Sequence, residues 1–97
     1  MAHAVVFSPE ANDDFRRLRA YERAMVRDAI NVHLAHHPAT ESRTTIKRLR
    51  DLRRPQYRLR VGDMRVFYDV REGLVEVLGI VAKAQAADWL RERGEQP

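Results

Sequence analysis

Hydrophobic and polar residues alternate along residues 56–61 and 64–70, on either side of the dipeptide Gly62-Asp63. Alternation with a period of two is typical of a half-buried β-strand, and Gly-Asp between two such segments favours a tight hairpin turn. A second turn, with Gly73 available for positive φ, leads into residues 74–82, which are apolar at nearly every position. The pattern therefore predicts three consecutive strands, the last of them a central strand covered on both faces.

The other segments predict one more strand and three helices. The short apolar run at residues 4–7 is typical of a strand, and Ser8 followed by Pro9 is a start signal for a first helix. A second helix is expected from about residue 21 to 36, and a last one over residues 84–94.

The order of these elements, β-α-α-β-β-β-α, predicts the fold class and the domain organisation. We expect a single α+β domain over residues 1–97: a small, mainly antiparallel sheet with an N-terminal αα-hairpin packed on one face and a short C-terminal helix. Residues 38–55 show no such periodicity and are expected to be irregular.

The alternation also predicts which side chains share a face. If the apolar residues of the hairpin point at the helices, Arg58, Arg60 and Arg65 point the other way, towards a helix-free surface. They are either ordinary charged residues of a solvated sheet or a phosphate-binding group, since guanidinium groups match phosphate oxygens in geometry. Phe67 lies on the same face, where it either stacks on a nucleobase or is covered by the C-terminal helix or a partner protein.

Charge is distributed unevenly along the chain. Residues 1–42 hold five Arg and six acidic residues, whereas residues 43–97 hold thirteen Lys or Arg and eight acidic residues. Within residues 43–60, eight cations accompany only Asp51, which is typical of a polyanion-binding surface, although a solvated basic face is the alternative. The candidates for contact with such a polyanion, besides the hairpin arginines, are Lys47, Arg48, Arg50, Arg53, Arg54 and Phe67.

Other chemistry is expected to be absent. The chain has no cysteine, no apolar run long enough to cross a bilayer and no leader-like start, so we expect a cytoplasmic protein without membrane contact. His33 and His37 have a spacing that can hold a metal, but no carboxylate motif accompanies them. We therefore expect neither a metal site nor a cofactor.

Lys83 follows the apolar third strand and is one of two lysines in the chain. Neighbouring arginines can lower the pKa of a lysine, which would then transfer protons where arginine cannot. The alternative is a surface lysine at a strand end.

The segment IKRLRDLRRPQYRLRVGDMRVFYDVREGLVEVLGIVAK, residues 46–83, resembles the RelE/ParE superfamily of bacterial toxins from type II toxin–antitoxin systems. The similarity spans nearly the whole chain and is densest in YRLRVGDMRVFYDV. It implies a compact α+β fold. It also implies a cognate antitoxin, a small and often acidic protein encoded next to the toxin.

In the RelE-like branch the toxin enters the ribosome and cuts messenger RNA by metal-independent attack of a 2′-hydroxyl on the adjacent phosphorus. The resemblance thus implies the ribosome and mRNA as partners and places the catalytic residues at Arg58, Arg60, Arg65 and Lys83. After Lys83 the sequence departs from the branch, because AQAADWL lacks the next basic residue and Trp89 or Leu90 stands near the expected tyrosine. There are two alternatives. The protein could be a ParE-like toxin that inhibits DNA gyrase by binding and is not itself an enzyme, or an inactive homologue that only binds an antitoxin.

Overall fold

A computed structural model describes residues 2–97 of the protein. The elements in chain order are β1 (Ala4–Phe7), α1 (Pro9–Arg17), α2 (Ala20–Ala29), a π-helical turn (Ile30–Leu34), β2 (Ile46–Arg48), β3 (Tyr57–Val61), β4 (Met64–Arg71), β5 (Leu74–Ala82), a 3-10 turn (Lys83–Gln85) and α3 (Ala86–Arg93).

The strands form one five-stranded sheet in the order β1-β5-β4-β3-β2. Strand β1 pairs with β5 in parallel, and all other neighbours are antiparallel. The predicted α+β class is confirmed, as is the inner position of the apolar strand β5. Strand β2 is an addition, because it lies in the segment expected to be irregular.

The hairpin between β3 and β4 turns at Gly62 and Asp63, as predicted. Gly62 has a φ of 56°, which an L-residue with a Cβ adopts only at a cost. Positive φ at the first central residue alone is the pattern of a type II′ turn, whose twist matches that of the flanking strands. The turn thereby fixes the register that pairs Arg60 with Arg65.

Helices α1 and α2 cover one face of the sheet, as expected. The Ser8 side chain accepts a hydrogen bond from the Ala11 amide at 3.1 Å and so caps α1. The second helix is shorter than predicted, because after Ala29 the chain continues as a π-helical turn. The core between these helices and the sheet consists of Ala11, Val26, Ile30, Leu34, Ile46, Tyr57, Leu59, Val61, Met64, Val66, Tyr68, Val75, Val77 and Ile80.

Helix α3 packs on the opposite face, so the expectation of a helix-free surface is wrong for part of the sheet. The Trp89 ring stacks on Phe67 with a centroid distance of 4.7 Å and an interplanar angle of 14°. Gly79, the cross-strand neighbour of Phe67, makes this approach possible, since a Cβ there would lie 2.4 Å from the indole ring. Phe67 is only 1% exposed and cannot stack on a nucleobase in this arrangement.

None of the helices in residues 2–97 is long and apolar enough to cross a membrane.

Candidate functional site

Four of the predicted cationic residues lie side by side on the face that carries α3. Lys47 on β2 is the direct cross-strand partner of Arg58 on β3, and Arg60 on β3 is the partner of Arg65 on β4. A fifth cation, Lys83, follows β5 close to the turn between β3 and β4, where its amide donates to the Asp63 carbonyl at 2.7 Å. We call these five residues, Lys47, Arg58, Arg60, Arg65 and Lys83, the cation row.

Within residues 2–97, no member of the cation row has a carboxylate oxygen within 4.0 Å of its charged nitrogens. The positive charges therefore repel one another without an internal counter-ion. Burial, and then repulsion from Arg65 and Arg60, hold the pKa of the Arg58 guanidinium below its usual value. The Arg58 Nε–H group is also buried without a hydrogen-bond partner. An anion at this position would supply both the missing acceptor and the missing charge.

Arg65 differs from its neighbours because the residue is only 7% exposed. Its Nη1 group donates to the carbonyls of Gly62 at 3.0 Å and Met64 at 2.9 Å. The expectation of a fully outward, solvent-facing Arg65 is therefore wrong. The guanidinium satisfies carbonyl oxygens of the tight turn, and part of its donor capacity is committed to holding the hairpin.

Three of the other basic candidates, Arg50, Arg53 and Arg54, have carboxylate partners. Arg50 pairs with Glu41 at 3.0 Å and Arg53 pairs with Glu95 at 2.7 Å, and both arginines are exposed. The Arg50 hydrogen bond, with the Arg48 amide as a second donor, lowers the pKa of the Glu41 carboxyl. Two of the eight cations in residues 43–60 are therefore compensated by carboxylates from outside this segment.

Arg54 is the most strongly compensated cation of this segment. Its Nε lies 2.6 Å from the buried Asp69 carboxylate, and its Nη2 lies 3.2 Å from Glu76. Asp69 also accepts a hydrogen bond from the Gln56 amide at 2.8 Å. The hydrogen bond to Asp69 raises the pKa of the Arg54 guanidinium. Because Glu95 reaches the same guanidinium at 3.7 Å, Arg54 also links the sheet to the segment after α3.

Arg48 lies apart from the cation row. Its guanidinium carbon is 5.1 Å from the centroid of the Tyr57 ring, and its Nη1 donates to the Tyr57 hydroxyl at 3.3 Å. Tyr57 belongs to the core, and Arg48 is its cross-strand partner. The Arg48 side chain therefore lies on the face of the sheet opposite to the cation row. The cation row thus receives Lys47 from β2 and not Arg48.

Sequence reasoning missed the acidic cluster that compensates Arg54. Asp69 lies two residues after Phe67 and four after Arg65 along β4, so alternation alone predicts an acidic residue on the face that carries the arginines. What the alternation alone does not show is that the loop before β3 brings Arg54 to this carboxylate.

An α+β domain of this size, with a five-stranded sheet and unpaired cations along its central hairpin, matches the class of protein implied by the sequence resemblance. A model of the ParE toxin family of type II toxin–antitoxin systems, parDE, matches residues 5–87. The protein belongs to this family of toxins, within the RelE/ParE superfamily. No curated protein sequence matches the chain.

Solved structures of low sequence identity share the fold. A chain of the toxin–antitoxin complex RelBE2 from Mycobacterium tuberculosis matches with a TM-score of 0.71 and 24% identity, over 87% of this chain and 94% of that chain. A chain of the archaeal RelE–RelB complex from Pyrococcus horikoshii matches with a TM-score of 0.70 and 20% identity, over 88% and 99% of the two chains. YoeB from Staphylococcus aureus, which was solved as a dimer, matches with a TM-score of 0.57 and 18% identity, over 84% and 97%.

Proposed function

We propose that this toxin is a ribosome-dependent endoribonuclease that cuts messenger RNA on the cation row. The observation that carries the proposal is the group of cations without carboxylate partners, in which Arg58 has a buried, unpartnered Nε–H. A surface that served only solubility would gain from mixing charges of both signs, as the neighbouring Arg54 cluster does. A phosphodiester backbone supplies the negative charges and acceptors that this row lacks.

The proposed reaction is attack of a 2′-oxygen on the adjacent phosphorus. The new P–O2′ bond forms while the P–O5′ bond breaks, which leaves a 2′,3′-cyclic phosphate and a 5′-hydroxyl. Arg58 and Arg60 would neutralise charge on the phosphorus oxygens, and each such donor is worth on the order of 3 kcal/mol by analogy with oxyanion holes. The 2′-hydroxyl must lose a proton and the 5′-oxygen must gain one. Lys83 is the candidate in the row for proton transfer.

Arg65 has a different part in this proposal. Because its Nη1 holds the hairpin turn, it fixes the register that brings Arg60 beside it. Substitution of Arg65 is therefore expected to disturb the geometry of the row as well as its charge. Arg58, Arg60 and Lys83 are the more informative positions for testing catalysis.

A second candidate function is inhibition of DNA gyrase by binding, without catalysis. The match to the ParE toxin family favours it, as does the segment AQAADWL directly after Lys83, which contains neither a basic residue nor a tyrosine. In that case the cation row would contact protein or DNA and no bond would be cleaved.

The two candidates differ in the first process that stops after induction in cells. Loss of amino-acid incorporation together with new 5′ ends in messenger RNA, mapped by primer extension, would support the nuclease. Intact messenger RNA with an early DNA-damage response would support gyrase inhibition and refute the nuclease. Induction without any growth defect would identify an inactive, antitoxin-binding homologue.

Variants of the row sharpen this test. Arg58→Ala with Arg60→Ala is expected to abolish messenger RNA cleavage, because two phosphate-binding groups are lost. Arg43→Ala is the matched control, since Arg43 is an exposed arginine of the same basic segment and, within residues 2–97, forms no ion pair. Equal cleavage by the double variant and the control would overturn the assignment of the site.

We also propose a cognate antitoxin that covers the cation row. The structural relatives from Mycobacterium tuberculosis and Pyrococcus horikoshii were solved as toxin–antitoxin complexes, and an unpaired cationic face fits an acidic partner segment. Co-expression with the product of each neighbouring gene should restore growth and yield a co-purifying complex. Failure of both products to bind the toxin would contradict this partner.

A further inference from the structure

A cleft with an apolar floor lies between the loop after β2 and helix α3, next to the cation row. Its volume is about 290 Å³, and we call it the leucine cleft. Its floor consists of Leu49, Leu52 and Leu90. The remaining lining residues are Lys47, Arg48, Arg50 and Asp51.

The apolar floor of the leucine cleft is only partly covered by the chain itself. Ile46 at the start of β2 is buried in the core, whereas Leu49, Leu52 and Leu90 all stay half-buried. The floor is nevertheless fixed in place, because the Leu49 amide donates to the Gln56 carbonyl at 2.8 Å. Leucine surface held open in this way favours a ligand with apolar faces.

Lys47 joins the cleft to the cation row. It lines the cleft and is at the same time the cross-strand partner of Arg58. Four other cavities of 220, 280, 300 and 310 Å³ lie elsewhere in residues 2–97, and none of them is lined by a member of the cation row. The largest of the four is lined by two glutamates, Glu10 and Glu95, and two arginines, Arg54 and Arg93, so it has no excess of positive charge for a polyanion.

We propose that the leucine cleft binds one nucleobase of the RNA strand whose phosphates lie on the cation row. This inference rests on the proposed RNA-binding function and adds a base-binding subsite to it. A nucleobase has apolar faces that pack on the leucine floor and polar edges that stay at the charged rim, and its size suits a cleft at the lower end of the volumes that hold small ligands. Lys47 would bind the phosphate that precedes or follows this nucleotide.

The test removes the base and leaves the phosphates unchanged. A set of fluorescein-labelled RNA hexamers carries one abasic nucleotide at each position in turn, and anisotropy at low salt gives the affinity of the full chain for each hexamer. One abasic position is expected to weaken binding about fivefold, somewhat less than the loss of a base stacked on an aromatic ring. Because phosphate charge is the same in every hexamer, electrostatics cannot produce this difference.

A protein variant locates the base. In Leu49→Ser, removing the base at the sensitive position should weaken RNA binding less than twofold. The variant lacks the apolar floor, so it gains little from the base even in the intact hexamer. Val32→Ser is the matched control, since Val32 is 64% exposed on the opposite side of the sheet, and its penalty should stay at the wild-type value. Circular dichroism verifies that both variants fold.

The outcomes separate this inference from the function beneath it. Equal affinity for all hexamers, or a sensitive position whose penalty persists in Leu49→Ser, would overturn the nucleobase cleft while RNA binding stands. Loss of RNA binding in Leu49→Ser without any base dependence would equally assign the cleft to another role. If even the intact hexamer fails to bind at low salt, direct RNA binding by the free chain is refuted and the nucleobase cleft with it, whereas the ribosome-dependent nuclease is decided separately by the mapping of messenger RNA ends in cells.

Discussion

Replacing Arg58 by methionine should stabilise the free protein and weaken its binding to RNA. Methionine keeps an unbranched stem of similar length, but it removes the charge that is repelled by Arg65 and Arg60 and the Nε–H group that has no partner. When a residue serves to bind an anion, its replacement is expected to raise the stability of the free protein and lower the affinity for the anion. The reason is that its unsatisfied groups destabilise the protein when the anion is absent.

The size of the effect follows from the unpartnered donor. Leaving a buried donor unsatisfied costs about 1–3 kcal/mol, and because Arg58 is only half-buried we expect the low end, about 1 kcal/mol. For a domain of about 100 residues this corresponds to a rise in Tm of roughly 5 °C. Thermal unfolding followed by circular dichroism measures it, and salt should diminish only the part that comes from charge repulsion.

Arg60→Met is the control for this experiment, because Arg60 is exposed and its removal relieves repulsion without removing an unsatisfied donor. Its effect on Tm should be several times smaller. In RNA titrations at several salt concentrations, Arg58→Met should lower the slope of log K against log salt by about 0.7, the loss of one phosphate contact on a single strand. A Tm below that of the wild type, or an unchanged slope, would refute the assignment of Arg58 as an anion-binding residue.

Three further predictions follow from the packing and the ion pairs. Gly79→Ala should displace Trp89 from the sheet, cost about 1–3 kcal/mol of unfolding free energy in urea and shift the fluorescence of this single tryptophan to longer wavelength. An unshifted spectrum would contradict the seating of α3. Glu41→Gln should flatten the loss of Tm at acid pH: the pKa of Glu41 is lowered below its usual 4.5, so its stabilisation is complete above that pH and is lost as the pH falls through the lowered pKa. Parallel Tm–pH curves for Glu41→Gln and the wild type would show that the pair with Arg50 contributes nothing. Arg54→Met should destabilise the protein by about 3 kcal/mol, because it leaves a buried carboxylate without its cation, yet it should leave the salt slope of RNA binding unchanged. A reduced slope would instead make Arg54 a phosphate ligand.

The central hairpin was predictable to within one residue at each strand end. The strands expected at residues 56–61 and 64–70 are β3, Tyr57–Val61, and β4, Met64–Arg71. Alternation and the turn at Gly62 are local signals, and the neighbouring strands satisfy them without any rearrangement. Strand β2 was missed because three residues carry no period of their own, and the strand exists only through its pairing with β3.

The common face of the hairpin arginines was predictable, but the environment of each arginine was not. Parity along the strands placed Arg58, Arg60 and Arg65 on one face, and the pairing of Arg60 with Arg65 confirms it. Parity does not report what covers a face, so the burial of Phe67 beneath Trp89 was left open between two alternatives. It also does not report that Arg65 bonds to the turn carbonyls, since that depends on the path of the turn in space.

By itself, the order of residues determined the fold class, the hairpin and the common face of its arginines, because all three depend on periodicity and on turn chemistry between residues close in the chain. Only the tertiary structure decided which cations keep a free charge. Arg54 meets acidic partners 15 to 41 positions away, Asp69 among them, while Arg58 meets none within residues 2–97. Charge compensation is a matter of distances of a few ångströms between remote segments, and such distances are set only when the whole sheet and its covering helices have packed.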